Sequence, residues 1–460
     1  MLKKKKVIFT IIYIMLYVLL IPTTKATTIT VNDETTLKNA LTNVQDGTTV
    51  NLTKDIKVTS KIQITGKGSI TINGNSYTVS AEHNSTDRIF EIRAEDGEEN
   101  KLNITFNNMS IINSKKGSRG IDTRTDNIIL TLNKITINNT GEGNNQPLTI
   151  GGTDSGITTV NIKNSNLNTG NSGYAIISFV KTNLVIENSH IQGWSALYFK
   201  EGSSGSKAKI ENSKLIGINN NNGTSENFGT IAFESSDVIV EIKDSLIKAV
   251  GKGNAYQSII SNSETIANSE KSQNTVIISG NSYIEINNIS DMKSNGSDSF
   301  VINNNAINLI LKEGVSSNKN IPSNYIDKNL TLVPNGNNYI IGKLHTIKIN
   351  DTVNGKININ TLTPVTGQLI TIETIPNKGY SLSMLKAINL ASNKEIKITK
   401  EQFSMPDADV LITAKFIKKE ANPQTKDNIK TFFVLATSSI LGIILIKIYS
   451  KKRLSMNNNH

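Results

Sequence analysis

Apolar and polar residues alternate in short stretches that recur at a fixed interval between residues 160 and 215. The stretches read VNIKNSNL (160–167), LVIENSHI (184–191) and AKIENSKL (208–215), and their serines lie 24 residues apart. A period of two predicts a short strand with one buried face. Recurrence at a fixed interval predicts a structural unit that buries this face by stacking on copies of itself.

A second apolar stretch follows each turn, at 174–178, 196–199 and 230–233. Strands and turns together make one coil, and stacked coils of this kind form a parallel β-helix. The same frame recurs at 104–111, 130–137, 240–247 and 279–284. We expect roughly nine coils at ~4.8 Å each, in an all-β chain whose right-handed parallel β-helix spans about 29–320. Ile162, Ile186 and Ile210 should stack in successive coils.

One frame position of these coils is rich in asparagine. Asparagine tolerates the left-handed turn conformation, and stacked side-chain amides can hydrogen-bond along the axis. The pattern predicts a structural ladder, although the abundance of asparagine throughout the chain is an alternative explanation. The predicted members are Asn108, Asn164, Asn188, Asn212 and Asn281.

Residues 35–41 predict a short amphipathic helix, with Leu37, Ala40 and Leu41 on one face. Such a helix would cover the exposed edge of the first coil. The passage from LKNAL through DGTTVNL to ITINGNSYTV (70–79) resembles the start of pectate-lyase-like β-helix proteins. This resemblance implies the fold over residues 29 to about 315 and by itself no activity.

Composition excludes several classes of function. The chain has no cysteine, which excludes disulfides, thiolate metal sites and a nucleophilic thiol. Of the net charge of +11, five lysines in residues 1–26 and four basic residues in 447–460 supply nine, which leaves +2 for residues 27–446. The basic balance therefore gives no support to nucleic-acid binding.

The N-terminus has the order of a signal peptide. Lys3–Lys6 precede an apolar run from Val7 to Ile21, and small residues follow. We expect a signal peptide over 1–26, cleaved between Ala26 and Thr27, with an uncleaved signal anchor as the alternative.

A second module is predicted after a β-helix domain of residues 27–343. Residues 344–417 contain alternating strand patterns, a P-x-x-G-Y motif at Pro376 and an F-x-M-P-x-x-D-V motif at Phe403. These marks resemble the internalin B-repeat type of bacterial surface module. The resemblance implies a small β-rich spacer or interaction unit.

The C-terminus has the order of a wall-anchoring signal. A linker (418–430) precedes an apolar segment (431–449), predicted as a transmembrane helix, and a basic cytoplasmic tail (450–460). The linker resembles a sortase signal of the NPQT type, although Lys426 departs from its usual fifth position. The resemblance implies sortase and peptidoglycan as partners, and a plain membrane anchor is the alternative. The motif residues are Asn422, Pro423, Gln424 and Thr425.

The usual equipment of β-helix polysaccharide enzymes is absent from the sequence. There is no Asp-Asp pair, and only four arginines precede the tail. We therefore predict no catalytic residues, no metal site and no cofactor. The weak ligand candidates are a basic loop, which solvation alone would also explain, and His190 with Trp194 and Tyr198, which could stack on a sugar ring but which packing in the coil would also explain. They are Lys115, Lys116, Arg119, Arg124, His190 and Trp194.

These observations favour a non-catalytic adhesin or ligand-binding protein on the surface of a Gram-positive cell. Its expected ligand is a host-matrix component or a glycan. The alternatives are a wall-bound polysaccharide lyase or hydrolase, and a passive structural spacer.

Overall fold

A computed structural model describes residues 27–420 with gaps at 43, 83–84, 96–100, 153–155, 171, 220–227, 253–256, 264–272 and 288–297, together with 443–448 and 450. The described chain is almost entirely β, as predicted. The predicted signal peptide with Ala26, the sorting motif at 422–425 and most of segment 431–449 lie outside these residues. Residues 443–448 are helical. Within the described ranges, no helix has the length and apolarity needed to cross a membrane.

Two parallel sheets form the walls of the coiled region, and each strand pairs with its counterpart in the next coil. The long sheet comprises β1 (Thr28–Val31), β2 (Thr48–Leu52), β3 (Ile56–Val58), β5 (Gly68–Asn73), β6 (Thr78–Ala81), β8 (Leu102–Asn113), β10 (Ile128–Asn139), β12 (Thr158–Lys163), β13 (Asn166–Asn168), β15 (Thr182–Glu187), β16 (His190–Gly193), β18 (Lys207–Glu211), β19 (Lys214–Asn219), β21 (Ile239–Lys243), β22 (Leu246–Gly251), β24 (Asn274–Ser279), β25 (Tyr283–Asn287), β27 (Ile307–Leu311), β28 (Ser316–Ser317), β29 (Thr331–Asn335) and β30 (Asn338–Gly342). The nine-stranded sheet comprises β4 (Ile62–Gly66), β7 (Arg88–Ala94), β9 (Arg119–Thr123), β11 (Gln146–Ile150), β14 (Tyr174–Ser178), β17 (Ser195–Phe199), β20 (Phe228–Phe233), β23 (Gln257–Asn262) and β26 (Val301–Ile302).

The coils stack in the predicted register, which makes the coiled region a parallel β-helix. Ile162 pairs with Ile186, and Ile186 with Ile210. All three side chains are buried in one continuous core that also contains the inward residues of the nine-stranded sheet. Because branched side chains of similar shape lie above one another, each coil fills the space beneath the next.

The predicted helix closes the first coil. Helix α1 (Glu34–Leu41) buries Leu37, Ala40 and Leu41 in the β-helix core. Asp33 caps its N-terminus by accepting a hydrogen bond from the backbone N–H of Thr36, at 2.8 Å. The helix therefore covers apolar residues that the end of the coil stack would otherwise expose.

The side-chain ladder at the turns runs through serine rather than through the predicted asparagines. The backbone N–H groups of Ser165, Ser189, Ser213 and Ser245 each donate to the serine hydroxyl of the next coil, at 3.0–3.2 Å. Each hydroxyl is buried and shared with a carbonyl of its own coil, as in the 2.7 Å bond from Ser189 to Glu187.

The predicted asparagines mainly shape the turn. Asn108, Asn164, Asn188 and Asn212 adopt the left-handed conformation, but Asn281 does not, because Gly280 takes it instead. In the described residues, no hydrogen bond joins two of these five amides. An amide ladder does exist one position earlier in the first coils, where the side chains point along the strand edge. It connects Asn51, Asn73, Asn107 and Asn133 and ends on Asn164.

The far end of the β-helix changes from parallel to antiparallel pairing. Strand β30 pairs antiparallel with β28 and with β29, after two 3₁₀ turns, Asn304–Ala306 and Ser323–Tyr325. Because an antiparallel strand ends the run of stacked coils, it covers part of the last open edge.

The following module has its own core, built on two small sheets. Phe403, Met405 and Val410, which belong to the motif noted in the sequence, are buried in that core. It contacts the β-helix through the Gln368 side chain, which donates to the Pro334 carbonyl at 3.0 Å. The sheets comprise β31 (Ile347–Ile349), β37 (Val410–Lys418), β34 (Tyr380–Asn389) and β35 (Lys394–Ile396), and β32 (Gly355–Ile359), β33 (Leu369–Pro376) and β36 (Gln402–Ser404).

Candidate functional site

The outer face of the nine-stranded sheet carries a cluster of charged side chains and a cluster of aromatic ones. Along each strand the residue after the inward apolar one points away from the core. The register places these outward residues in one row across neighbouring coils. The row reads Glu91, Asp122, Thr149, Ile177, Tyr198 and Ala232. We call this surface the outer face.

One end of the outer face holds an arginine cluster, defined by Arg88, Arg93, Arg119 and Arg124 around Glu91 and Asp122. Oδ2 of Asp122 lies 2.5 Å from a terminal nitrogen of Arg88, 3.2 Å from one of Arg119 and 3.1 Å from Nε of Arg124. Glu91 contacts Arg88 at 3.1 Å and Arg93 at 2.9 Å, and Lys61 also reaches it. All four arginines that precede the C-terminal tail therefore converge here.

Both carboxylates of the cluster are covered by the basic side chains around them. The side chain of Asp122 is 0% exposed and that of Glu91 is 2% exposed. Burial raises the pKa of Asp122, an effect that the neighbouring arginines oppose. The pKa of Glu91 is lowered because hydrogen bonds from Lys61 and Arg93 outweigh its burial. The Oδ1 atom of Asp122 is buried without a hydrogen-bond partner among the described residues.

The sequence contains a repeated motif that corresponds to this cluster and was not used in the predictions. RIFEIR (88–93) and RGIDTR (119–124) share the pattern R-x-x-acid-x-R. Strands β7 and β9 align the two copies in register, with Arg88 beside Arg119 and Glu91 beside Asp122. Arg119 and Arg124 were named as candidates, whereas Arg88, Arg93 and Asp122 were not.

An aromatic cluster lies on the same face and begins two strands from Asp122, or about 10 Å away. Tyr174, Ile177 and Tyr198 are buried side by side, with partly exposed Phe179 and Trp194 at their margin. The rings of Tyr174 and Tyr198 lie 4.4 Å apart, and Trp194 meets Tyr174 edge-on at 6.1 Å. Glu234 hydrogen-bonds both Tyr198 and Lys200 at the far side of this cluster.

The structure separates some residues that the sequence analysis had grouped. Trp194 and Tyr198 lie together in the aromatic cluster, but His190 belongs to the long sheet, where it pairs with Asn166 and Lys214. Lys115 and Lys116 lie in the loop before β9 and form no ion pair in the described structure, unlike Arg119 and Arg124. The four residues expected to form one basic loop are therefore divided. Arg119 and Arg124 belong to the arginine cluster, whereas Lys115 and Lys116 lie apart in the preceding loop.

The outer face combines charged groups that can recognise an anionic or polar partner with rings that can stack on an apolar one. Among the described residues, no three carboxylate, imidazole or thiol groups converge in a way that could hold a metal ion.

Comparison with known proteins gives a family match for the C-terminal module. Residues 345–420 match the family described as divergent InlB B-repeat domain. A comparison with curated protein sequences found no match. Among solved structures, the alginate lyase from Paenibacillus sp. str. FPU-7 is similar at 12% identity and a TM-score of 0.32, over 61% of this chain and 98% of that one. A likeness at this level carries no inference about activity.

Proposed function

We propose that this chain is a non-catalytic binding protein of the bacterial cell surface, and that its ligand lies along the outer face of the nine-stranded sheet. One observation carries the proposal. The arginine cluster and the aromatic cluster lie on the same outer face, while both carboxylates between the arginines are covered. The face therefore offers charged donors and rings for contact, while the two carboxylates inside its arginine cluster are inaccessible.

Burial of the two acids disfavours hydrolysis at this site. Glu91 and Asp122 lie on adjacent strands, and a retaining hydrolase needs two carboxyl groups about 5 Å apart that both contact the substrate. Neither side chain is accessible here, and each is already hydrogen-bonded to guanidinium groups. Held in this way, the acids fix the arginine side chains in place, which lowers the entropy lost when a ligand binds.

Surface location is part of the proposal. Divergent B-repeat domains are typical of extracellular bacterial surface proteins, and residues 345–420 match that family. The order of apolar and basic segments at the two termini fits export and retention. We include in the proposal a signal peptide over 1–26 and attachment by sortase to peptidoglycan through the motif that ends at Thr425.

The test is a binding assay that also detects products. Purified residues 27–420 are incubated with immobilised glycans and matrix proteins, and both retention and the release of unsaturated or reducing ends are measured. Retention without products is the expected result. Product formation would instead favour the polysaccharide lyase or hydrolase, and a lack of both would leave a passive spacer.

A further inference from the structure

A polar groove lies on the long sheet, at the bend that follows β12, β15 and β18. Left-handed turns at Asn164, Asn188 and Asn212 form one side of it. The next residues along the coils, which pair in register across β13, β16 and β19, form the other side. The concave space is about 360 Å³ and is lined chiefly by Lys134, Asn164, Asn166, Asn188, His190 and Lys214.

The groove has basic side chains and no acidic one in its lining. Lys134 and Lys214 form no ion pair with any described residue. The carboxylates on the neighbouring strand positions are occupied, since Glu187 pairs with Lys163 at 3.1 Å and Glu211 with Lys209 at 3.1 Å. Two free ammonium groups from different coils therefore share one concave surface with several amide donors.

His190 supplies a second, independent observation. Its Nε2 atom is buried and has no hydrogen-bond partner among the described residues, and a buried polar atom without a partner is costly. Burial, and then the charge of Lys214, lower the pKa of this imidazole, while a hydrogen bond with the Gln192 side chain opposes the shift. Strand β13, which pairs with the strand of His190, contains no charged residue. Tyr174 of β14 and Tyr198 of β17 belong to the aromatic cluster of the other sheet. Lys214 on β19 is thus the charged group that faces it.

We propose that this groove binds a doubly charged oxyanion of the phosphate or sulfate type, held by Lys134, His190 and Lys214 with the turn amides as further donors. An oxyanion offers several acceptor oxygens to donors that approach from different directions. Lysine is a common phosphate ligand that acts as a point charge, and the bound charge would give the Nε2 atom of His190 a partner and favour protonation of the ring. The site lies on a different sheet from the outer face and is independent of the function proposed there.

The test uses the His190 imidazole as the reporter. Carbon-labelled histidine is introduced into the purified full-length chain, and the His190 resonance is identified by its loss in His190→Gln. Its titration is followed by NMR in sodium sulfate, in inorganic phosphate and in sodium chloride of equal ionic strength. Sulfate should raise the pH midpoint of His190 by about one unit relative to chloride, because a nearby opposite charge favours the protonated ring. Equal midpoints in sulfate and chloride would overturn the proposal.

Matched lysine variants localise the effect. Lys214→Gln should weaken sulfate binding about tenfold, through loss of a charge-assisted hydrogen bond. Lys207→Gln removes the same charge from the neighbouring strand β18 outside the groove, and should leave sulfate binding unchanged. Equal weakening by the two variants would show general charge attraction and would overturn the proposed site.

A model phosphodiester chain, added in place of the free ions, distinguishes the two sources of the oxyanion. A similar shift of the His190 midpoint indicates a polymer-borne group, and no shift restricts the site to free oxyanions.

Discussion

The backbone N–H of Ser165 donates a hydrogen bond to the hydroxyl of Ser189, which lies 24 residues further along the chain and 3.0 Å away. The same bond joins Ser189 to Ser213 at 3.1 Å. At these turns the left-handed residue interrupts the regular strand ladder, so a side-chain acceptor satisfies an N–H that would otherwise be buried without a partner. The serine of each repeat therefore stabilises the contact between successive coils.

Ser189→Ala should destabilise the fold by about 1–3 kcal/mol, because it leaves the N–H of Ser165 buried and unsatisfied. The free energy of unfolding in urea measures the effect. Ser204→Ala removes a hydroxyl from an exposed loop position and should cost less than about 0.5 kcal/mol. Equal losses for the two variants would contradict the role assigned to the serine ladder.

Asp122→Asn should be the most damaging conservative change in the arginine cluster, at about 3–5 kcal/mol, because it removes the buried negative charge that Arg88, Arg119 and Arg124 share. Asp87→Asn is the matched control. Asp87 pairs with the same Arg88 at 2.7 Å, but its side chain is 55% exposed. Its loss should cost under about 1 kcal/mol. Thermal and urea unfolding of both variants would test this order, which a larger effect at Asp87 would reverse.

Glu34 should make stability depend on acid pH. Hydrogen bonds from Lys38, Thr59 and Ser60 outweigh burial and lower its pKa from 4.5 to about 2. Since the folded value lies below the unfolded one, the contribution is fully present above pH 4.5 and is lost as pH falls towards 2. Glu34→Gln should therefore cost up to about 3 kcal/mol at pH 6 and much less near pH 2. A difference that stays constant across this range in urea unfolding would argue against the assignment.

Trp194→Ala should weaken retention of any ligand bound along the outer face by at least about tenfold, since tryptophan side chains commonly dominate the affinity of a binding face. Tyr380→Ala removes a partly exposed ring from the C-terminal module and serves as the control. Circular dichroism would confirm that both variants remain folded. Unchanged retention by Trp194→Ala would remove the aromatic cluster from the proposed binding face.

Thr425→Ala should shift the protein from the cell-wall fraction to the membrane or the medium, if a sortase joins this threonine to peptidoglycan. Fractionation of cells followed by immunoblotting measures the shift. Asp427→Ala, two residues further along, should leave the distribution unchanged. If the wall fraction were the same for both variants, covalent attachment at Thr425 would be wrong.

The fold could be predicted from sequence because its main contacts repeat. Ile162, Ile186 and Ile210 occupy the same place in three copies of one pattern, and stacking is the arrangement that buries all of them. The ladder residue was harder to identify, since Asn188 and Ser189 recur equally well. Their roles follow from the backbone: the asparagine provides the left-handed turn, while the serine side chain reaches the next coil.

The candidate site was only partly predictable. Trp194 and Tyr198 were recognised as neighbours because only three residues separate them within one coil. Arg88 and Arg119 belong to different coils, and the second copy of their motif begins 31 residues after the first rather than 24. Loops accommodate the extra residues, so the interval between the two motifs in the sequence does not show that strands β7 and β9 pair them in register. His190 was misplaced because the chain turns a corner between His190 and Trp194.

The uniform joint between coils has an evolutionary consequence. Ser165, Ser189 and Ser213 make the same hydrogen bond between successive coils. If the gene lost or duplicated one repeat, the coils brought together in the protein would still have matching hydrogen-bond partners. Helix α1 and the antiparallel strand β30 would continue to cover the two ends. Selection could thus adjust how far this protein reaches in steps of about 4.8 Å, while the same two elements continue to cover its ends.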